Sequence, residues 1–591
     1  MSGLGKRRRG HWERIGSLAR RRPGLCMGLL AGLAVGLTLA DPGLTVDEPL
    51  DVRPGRTYVA TLRAEGWRFF DRAVVDRVFR DNAEHPPLGR WLLGVASTMG
   101  QPFQVVSRGV DPTGLYVLSG RLSPAAAFAV LVGLVASEAG RRWGSAAGLT
   151  AGWSLLVMPR VFAHAHFAAL DTFLALFWTL ALIGGARVIE SSRPVLGLLG
   201  AGVLWSLALL TKIHAWLLAP LMATWALVRL GWKQAVGGMV LWMSAGVGLF
   251  YVGWPWLWYE TIPRWAAYWG TSLERASIVV EYLGRFYPDR DLPWHYPWVY
   301  FAVTVPVGLH ALGLFGLRLG WRLKDSFIAL LAGSMALFLG LFSTGVPVYD
   351  GERLFLHIFP AWAMVIGLGT GGLWNRISLR PRARTALAVA LAAQSLGLAT
   401  THPFGLSYYN LLTLGLPGAE RLGLELTYWG DAVDDVLLDR LAREARRGAT
   451  AALAPTLYPG QGILTTTRGL VQREIVLQDE AAAAKAEWVI VSRRRAYWRP
   501  ELVDRLESGS GTLVSTRSRQ GIWLSALWHF PASGPASPSR AQTSIPVPAA
   551  ELTAVASGTA PPSPALPPAN WSNRAAMGIS ELSPSRCLDD L

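Results

Sequence analysis

Long apolar runs separated by short polar connections fill residues 24–401. About eleven of them are roughly 17–22 residues long, the length with which a helix crosses ~30 Å of hydrocarbon. They lie at 24–40, 119–138, 146–159, 167–187, 195–211, 213–228, 235–253, 299–317, 326–343, 355–374 and 385–401. The third is short, and almost nothing separates the fifth from the sixth. After residue 401 the pattern changes. Residues 402–530 combine a helical run near 431–447 with strand-like runs at 487–492 and 521–525, as in a small soluble α/β module. Residues 531–591 are rich in Pro, Ser and Ala with little to bury, and read as a disordered tail. The expected fold is mainly α: a polytopic membrane protein with about eleven transmembrane helices over 24–401. A basic segment, 1–23, precedes it and the α/β module follows it.

Composition agrees with that pattern. Hydrophobic residues make up 51% of the 591 and charged residues only 16%, against about 25% charged in a typical soluble domain. The net charge of +16 sits in short clusters between apolar runs. It therefore sets orientation, whereas a nucleic-acid binder would carry it on one soluble face. Cys26 and Cys587 are too far apart in the chain to suggest a disulfide framework. The first apolar run follows Lys6, Arg7, Arg8, Arg9, Arg14, Arg20, Arg21 and Arg22, as a signal peptide's would. No small-residue cleavage site is obvious and many spans follow, so it reads as a retained anchor.

The arginines also assign sides. With a cytoplasmic N-terminus, each short inner loop carries at least two positive charges: Arg141 and Arg142; Arg187 and Arg193; Arg229 and Lys233; Arg318, Arg322 and Lys324; and Arg376, Arg380, Arg382 and Arg384. The outer face then receives 41–118, 160–166, 211–213, 254–298, 344–354 and everything after 401.

The chemically useful residues of these spans and loops gather on that outer face. The first outer loop opens with Thr45-Val46-Asp47-Glu48-Pro49 and later carries Glu84-His85-Pro86-Pro87-Leu88. The second runs from Arg160 through His164 and His166 to Asp171, which enters the fourth span. A carboxylate at that depth is costly and points to function. Lys212 and His214 separate two spans, and Tyr349-Asp350-Gly351-Glu352-Arg353 leads into a span that carries His357. Each signal has a plainer reading: acids in a solvated turn, cations snorkelling to the interface, tryptophans in an interfacial belt. His164 and His166 alone are a weak metal signal. Jointly, acids, histidines and cations from five loops meet at the level of lipid head groups.

The Asp47-Glu48 pair after the first span, His85-Pro86-Pro87-Leu88 before the second, and His164…Asp171 at the fourth resemble the polyprenyl-phosphate-sugar-dependent membrane glycosyltransferases. These include the protein O-mannosyltransferases and lipid A aminoarabinose transferases, which share the class C glycosyltransferase fold. Arg353…Pro360 and Pro293-Trp294-His295-Tyr296-Pro297 add to the likeness, which covers about residues 20–430. The motifs are short and support the superfamily rather than one member. A Trp-Trp-Asp motif of the oligosaccharyltransferase branch is not obvious.

The resemblance implies a polyprenyl-phosphate sugar donor, a lipid, glycan or protein hydroxyl as acceptor, surrounding membrane lipids and no nucleic acid. It makes Asp47 the general base, supported by Glu48, with Asp171 positioning Asp47 or the acceptor. Lys212 and Arg353 would bind the donor phosphate. His85, His164, His166, Tyr349, Asp350 and His357 are left to contact substrate. No cofactor is implied as essential, and a divalent ion stays open. The rival class is a secondary transporter, which would place its ionisable groups near the midplane on broken helices between repeats. No internal repeat is apparent. A scaffold presenting the 402–530 module would leave Asp171 unexplained.

Overall fold

The computed structural model describes residues 17, 21–80, 84–104, 117–273, 277–457, 460–465 and 467–531. Most of the basic 1–23 segment and the expected tail from 532 onward lie outside them.

The chain is mainly helical. Four helices are long and apolar enough to cross a membrane: Val117–Trp143, Asp171–Ile189, Trp232–Gly253 and Arg353–Arg376. Tyr296–Thr304 and Val307–Arg322 would make a fifth, but they meet at 111° around Pro306. Among the described residues this is fewer than the eleven spans expected. The shortfall is one of length. Helices Pro23–Thr38, Pro194–Leu209 and Ser326–Leu341 have 16 residues each and Ser145–Leu156 has 12. At 1.5 Å per residue these are about 24 Å and 18 Å long. The apolar runs in sequence include residues that the structure spends on turns and caps.

Local signals fix the helix ends. Proline opens Pro23–Thr38, Pro159–His164, Pro194–Leu209 and Pro381–Ala393, where its missing N–H costs nothing. Acids start and bases finish: Asp171 and Arg187 bracket Asp171–Ile189, and both suit the helix dipole.

The first connection folds into helices Asp47–Glu65, Arg72–Phe79 and Leu88–Gln104. Asp47–Glu65 and Leu88–Gln104 touch at Gly55 and Gly94, where a Cβ on either glycine would lie 2.1 Å from the other backbone. Only glycine permits this approach. It fixes the helix whose first residue is Asp47. Helix Phe359–Arg376 runs through the middle of the membrane-spanning group and is buried along its apolar window, whereas Trp232–Gly253 lies at the periphery.

Beyond residue 450 comes a five-stranded mixed sheet. Its order is Leu477–Gln478, Ala451–Ala454, Trp488–Ser492, Ile522–His529, Thr512–Arg519. The first three strands are parallel and the last two antiparallel. Ala451–Ala454 and Trp488–Ser492 are buried along their whole length and read as continuous apolar runs. Helix Asp435–Glu444, capped by Asp434, packs Leu437, Leu438 and Leu441 into the same core as Ile490 and Leu527.

Candidate active site

Four segments bring charged side chains to one place. Asp47 opens helix Asp47–Glu65, Asp171 opens Asp171–Ile189, Lys212 stands between two helices, and Arg353 starts the turn that leads into Phe359–Arg376. Lys212 Nζ donates to Asp171 Oδ1 at 2.5 Å. Arg353 is the hub. Its Nε faces Asp171 Oδ2 at 3.4 Å, its Nη1 donates to Asp350 Oδ2 at 2.9 Å, and its Nη2 pairs with Asp47. Its guanidinium carbon lies 4.2 Å from the ring centre of Trp429 and 5.9 Å from that of Tyr349.

Exposure grades across the cluster. The Asp47 side chain is 26% exposed, against 4% for Asp171 and 8% for Arg353. Asp47 is therefore the open edge, and the other groups form a buried floor. Such a floor is tolerable only because each charge has a partner. The loop that delivers Arg353 bends through two left-handed residues, Asp350 at φ 57° and Gly351 at φ 66°. A Cβ on Gly351 would come within 2.8 Å of Arg160 Nη1 and 3.1 Å of Tyr300. The Asp-Gly order thus follows from backbone shape as well as charge.

The remaining expected residues separate into two groups. His164 lies beside the cluster: its ring centre is 5.1 Å from that of Trp429, at a tilt of 56°, and Tyr428 Oη is 3.5 Å from its Nε2. Burial pushes its pKa down to about 3, so it is neutral at ordinary pH. His85 is near enough to feel Arg90 and Lys212, and burial also lowers its pKa. His166, Glu48 and His357 turn elsewhere. His166 bonds Thr38 Oγ1 at 2.8 Å and the Phe162 carbonyl at 2.9 Å. His357 sits in an aromatic nest, 4.0 Å from Phe338 and 4.9 Å from Trp178 between ring centres, with neither ring nitrogen bonded among the described residues. Glu48 is wholly buried and holds Arg121: Nε and Nη2 donate to it at 2.7 and 2.8 Å, and the N–H groups of Thr45 and Ala168 add bonds of 2.9 Å each. Arg121 also donates to the carbonyls of Leu39, Pro42 and Gly43. Glu48 thus pins the backbone that presents Asp47.

Sequence reasoning left out several of these groups. Asp51, one turn beyond Asp47, accepts from Arg90 Nε at 3.0 Å, and burial raises its pKa to about 6 despite that arginine. The i, i+4 spacing of two acids was the available signal. Arg160 donates to Glu352 Oε2 at 2.8 Å and to the Tyr408 carbonyl at 3.0 Å, beneath the Asp350–Gly351 turn. Trp429, under the Arg353 guanidinium, carries no signal, since it stands far along the chain outside any motif. Among the described residues no three His, Cys, Asp or Glu side chains gather as metal ligands.

Residues 113–259 match the family model for dolichyl-phosphate-mannose-protein mannosyltransferases. That stretch contains Arg121, Asp171 and Lys212, and it leaves Asp47 and Arg353 outside. No curated protein sequence matches the chain. Among solved structures, the chain is similar to ArnT from Cupriavidus metallidurans bound to undecaprenyl phosphate, at 16% identity over 87% of this chain and 98% of that one, with a TM-score of 0.45. It is also similar to the oligosaccharyltransferase AglB from Archaeoglobus fulgidus in complex with an inhibitory peptide and a dolichol-phosphate, at 11% identity over 84% and 73%, with a TM-score of 0.42. A third is the arabinofuranosyltransferase AftD from Mycobacteria, at 12% identity over 87% and 42%, with a TM-score of 0.36. By its motifs and its matched segment, the chain resembles the polyprenyl-phosphate-sugar-dependent membrane glycosyltransferases of class C.

Proposed function

We propose that the protein is an integral-membrane glycosyltransferase that moves a sugar from a polyprenyl-phosphate donor to a hydroxyl of a lipid, glycan or protein on the outer face of the membrane. The observation that carries this reading is the Arg353 hub, which joins the half-open carboxylate of Asp47 to the buried Asp171–Lys212 pair. A lipid phosphate needs fixed cations, and an acceptor hydroxyl needs one accessible carboxylate. This cluster supplies both at helix ends.

In this scheme the donor phosphate enters between Lys212 and Arg353 and takes over the guanidinium contact that Asp47 holds. The freed Asp47 accepts the proton of the acceptor hydroxyl. The acceptor oxygen bonds to the anomeric carbon from the face opposite the phosphate, and the bond to the phosphate oxygen breaks. The polyprenyl phosphate departs with the electron pair, held by the two cations, and the sugar's configuration inverts. Phosphate is already a good leaving group, so no general acid is required. Asp171 holds Lys212 and Arg353 at the spacing the phosphate needs. His164, Tyr349 and Asp350 line or support this site, and His85 lies at its margin. The shorter helices are taken to complete the expected crossings, with the N-terminus inside and the site outside.

Transport is the competing activity. The bent pair Tyr296–Thr304 and Val307–Arg322 is the kind of broken helix a transporter uses, yet none of the hub residues lies on it. Membranes containing the protein, incubated with a panel of radiolabelled polyprenyl-phosphate sugars, should release polyprenyl phosphate from one of them. No consumption of any donor, together with ion-coupled uptake in sealed vesicles, would replace this reading with transport.

A further inference from the structure

Strand Trp488–Ser492 is followed by three consecutive arginines, and each reaches a different part of the chain. Arg493 pairs with Glu420 in helix Gly415–Arg421. Arg495 pairs with Glu281 in the hairpin strand Val279–Tyr282, with Nε at 3.0 Å. Arg494, between them, enters the hub. Its Nη2 donates to Asp350 Oδ1 at 2.9 Å, its Nη1 donates to the Tyr428 carbonyl at 2.6 Å, and its Nε lies 3.5 Å from Glu425. Asp350 is therefore shared: one oxygen takes Arg494 and the other takes Arg353 at 2.9 Å. Tyr428 precedes Trp429, on which the Arg353 guanidinium stacks.

We infer that Arg494 is a positioning residue, by which the sheet that follows the helices sets the Arg353 guanidinium through Asp350 for donor-phosphate binding. The inference rests on the reading of Arg353 as a phosphate ligand. With Arg494 in place, half of the Asp350 charge is balanced from the sheet side. One guanidinium edge of Arg353 is then left for Asp47 or for an incoming phosphate. Without Arg494, Asp350 is a buried carboxylate with a single cation, and Arg353 is drawn onto it and away from the phosphate position. The anchors on both sides, Arg493 and Arg495, keep the strand end from following.

The test measures the affinity of the purified full-length protein in lipid nanodiscs for undecaprenyl phosphate, together with its melting temperature. The variants are Arg353→Ala, Arg494→Gln, Arg494→Lys and the double variant Arg353→Ala/Arg494→Gln. Arg494→Gln should raise Kd roughly tenfold, within the range of couplings between side chains that share a partner. Arg494→Lys should recover part of that loss, because it restores the charge without the second hydrogen bond. In the Arg353→Ala background, Arg494→Gln should weaken binding no further, since its effect passes through Arg353. Wild-type affinity in a stably folded Arg494→Gln protein overturns the inference. So does a full tenfold loss added on top of Arg353→Ala, which would make Arg494 a direct contact. If Arg353→Ala itself binds like wild type, the phosphate reading of Arg353 falls first. Should Arg494→Gln not fold, Arg494→Lys carries the test: it must bind more weakly than wild type and show the same non-additivity with Arg353→Ala.

Discussion

Glu48→Gln separates support from chemistry at the Asp47-Glu48 pair. The two carboxylates are adjacent in sequence, and as a support to the base Glu48 should cost less turnover than Asp47. For stability the order is the opposite one. Glu48 Oε1 receives Arg121 Nε and the Ala168 N–H, and Oε2 receives Arg121 Nη2 and the Thr45 N–H. Whichever way a glutamine amide turns, its NH2 meets two donors, and Arg121 loses its countercharge in a fully buried site. Removing one partner of such a pair costs about 3–5 kcal/mol. For a cooperative unit of this size that is a fall of about 3–5 °C in melting temperature. Asp47→Asn loses one pair at a partly exposed edge, where water replaces it and the cost is about 1 kcal/mol or less. Thermal melts of the two purified variants, with turnover measured on the surviving folded fraction, give the comparison. A Glu48→Gln protein that melts like wild type but has no turnover, beside an active Asp47→Asn protein, would refute the reasoning and move the base one residue along.

Three further outcomes follow from the same geometry. Lys212→Ala should raise donor KM about 10- to 150-fold, because it deletes a charge-assisted contact of about 1.5–3 kcal/mol; Lys212→Arg should recover only part, since a fork replaces a compact charge held 2.5 Å from Asp171. A reporter that fluoresces only in the cytoplasm, fused after residue 402, should stay dark; a bright signal would put the site on the inner face. His166 is neutral in the fold, its pKa pushed from 6.5 down to about 3 by burial. Its contribution to stability is therefore full above pH 6.5 and is lost as pH falls toward 3. His166→Gln should flatten the acid-side fall in melting temperature, by up to about 1.4 kcal/mol per pH unit, and an unchanged slope would show that other groups carry it.

The hub was legible in the sequence because a charge beside an apolar run stands out, and loop arginines sort such charges by side. Asp47, Asp171, Lys212, Asp350 and Arg353 were all visible that way. Which cation holds which carboxylate was not, since apart from Asp350–Arg353 the pairs span 41 to 306 residues of sequence. Periodicity reports burial of a face and is silent on partners so distant. Glu48 looked chemical because it adjoins Asp47, but successive residues at a helix start point in different directions, and Glu48 points at Arg121. Arg494 carries no signal of its own, since it stands in a run of three arginines outside any motif. The eleven apolar runs do not all become long apolar helices for a different reason: run length in sequence does not subtract the residues that turn at Pro306 or between Leu209 and Leu218. The short strands Ala451–Ala454 and Leu477–Gln478 were missed because runs of two to four residues carry no periodic signal.

The central claim is that Asp47 takes the proton of an acceptor hydroxyl in a reaction that consumes a polyprenyl-phosphate sugar. The most direct measurement is the rate of polyprenyl phosphate release from the radiolabelled donor by purified wild-type and Asp47→Asn proteins in proteoliposomes with acceptor. The account predicts a fall of about 10²–10⁴-fold in turnover for Asp47→Asn, with donor KM and melting temperature close to wild type. Equal turnover in the two proteins would contradict it.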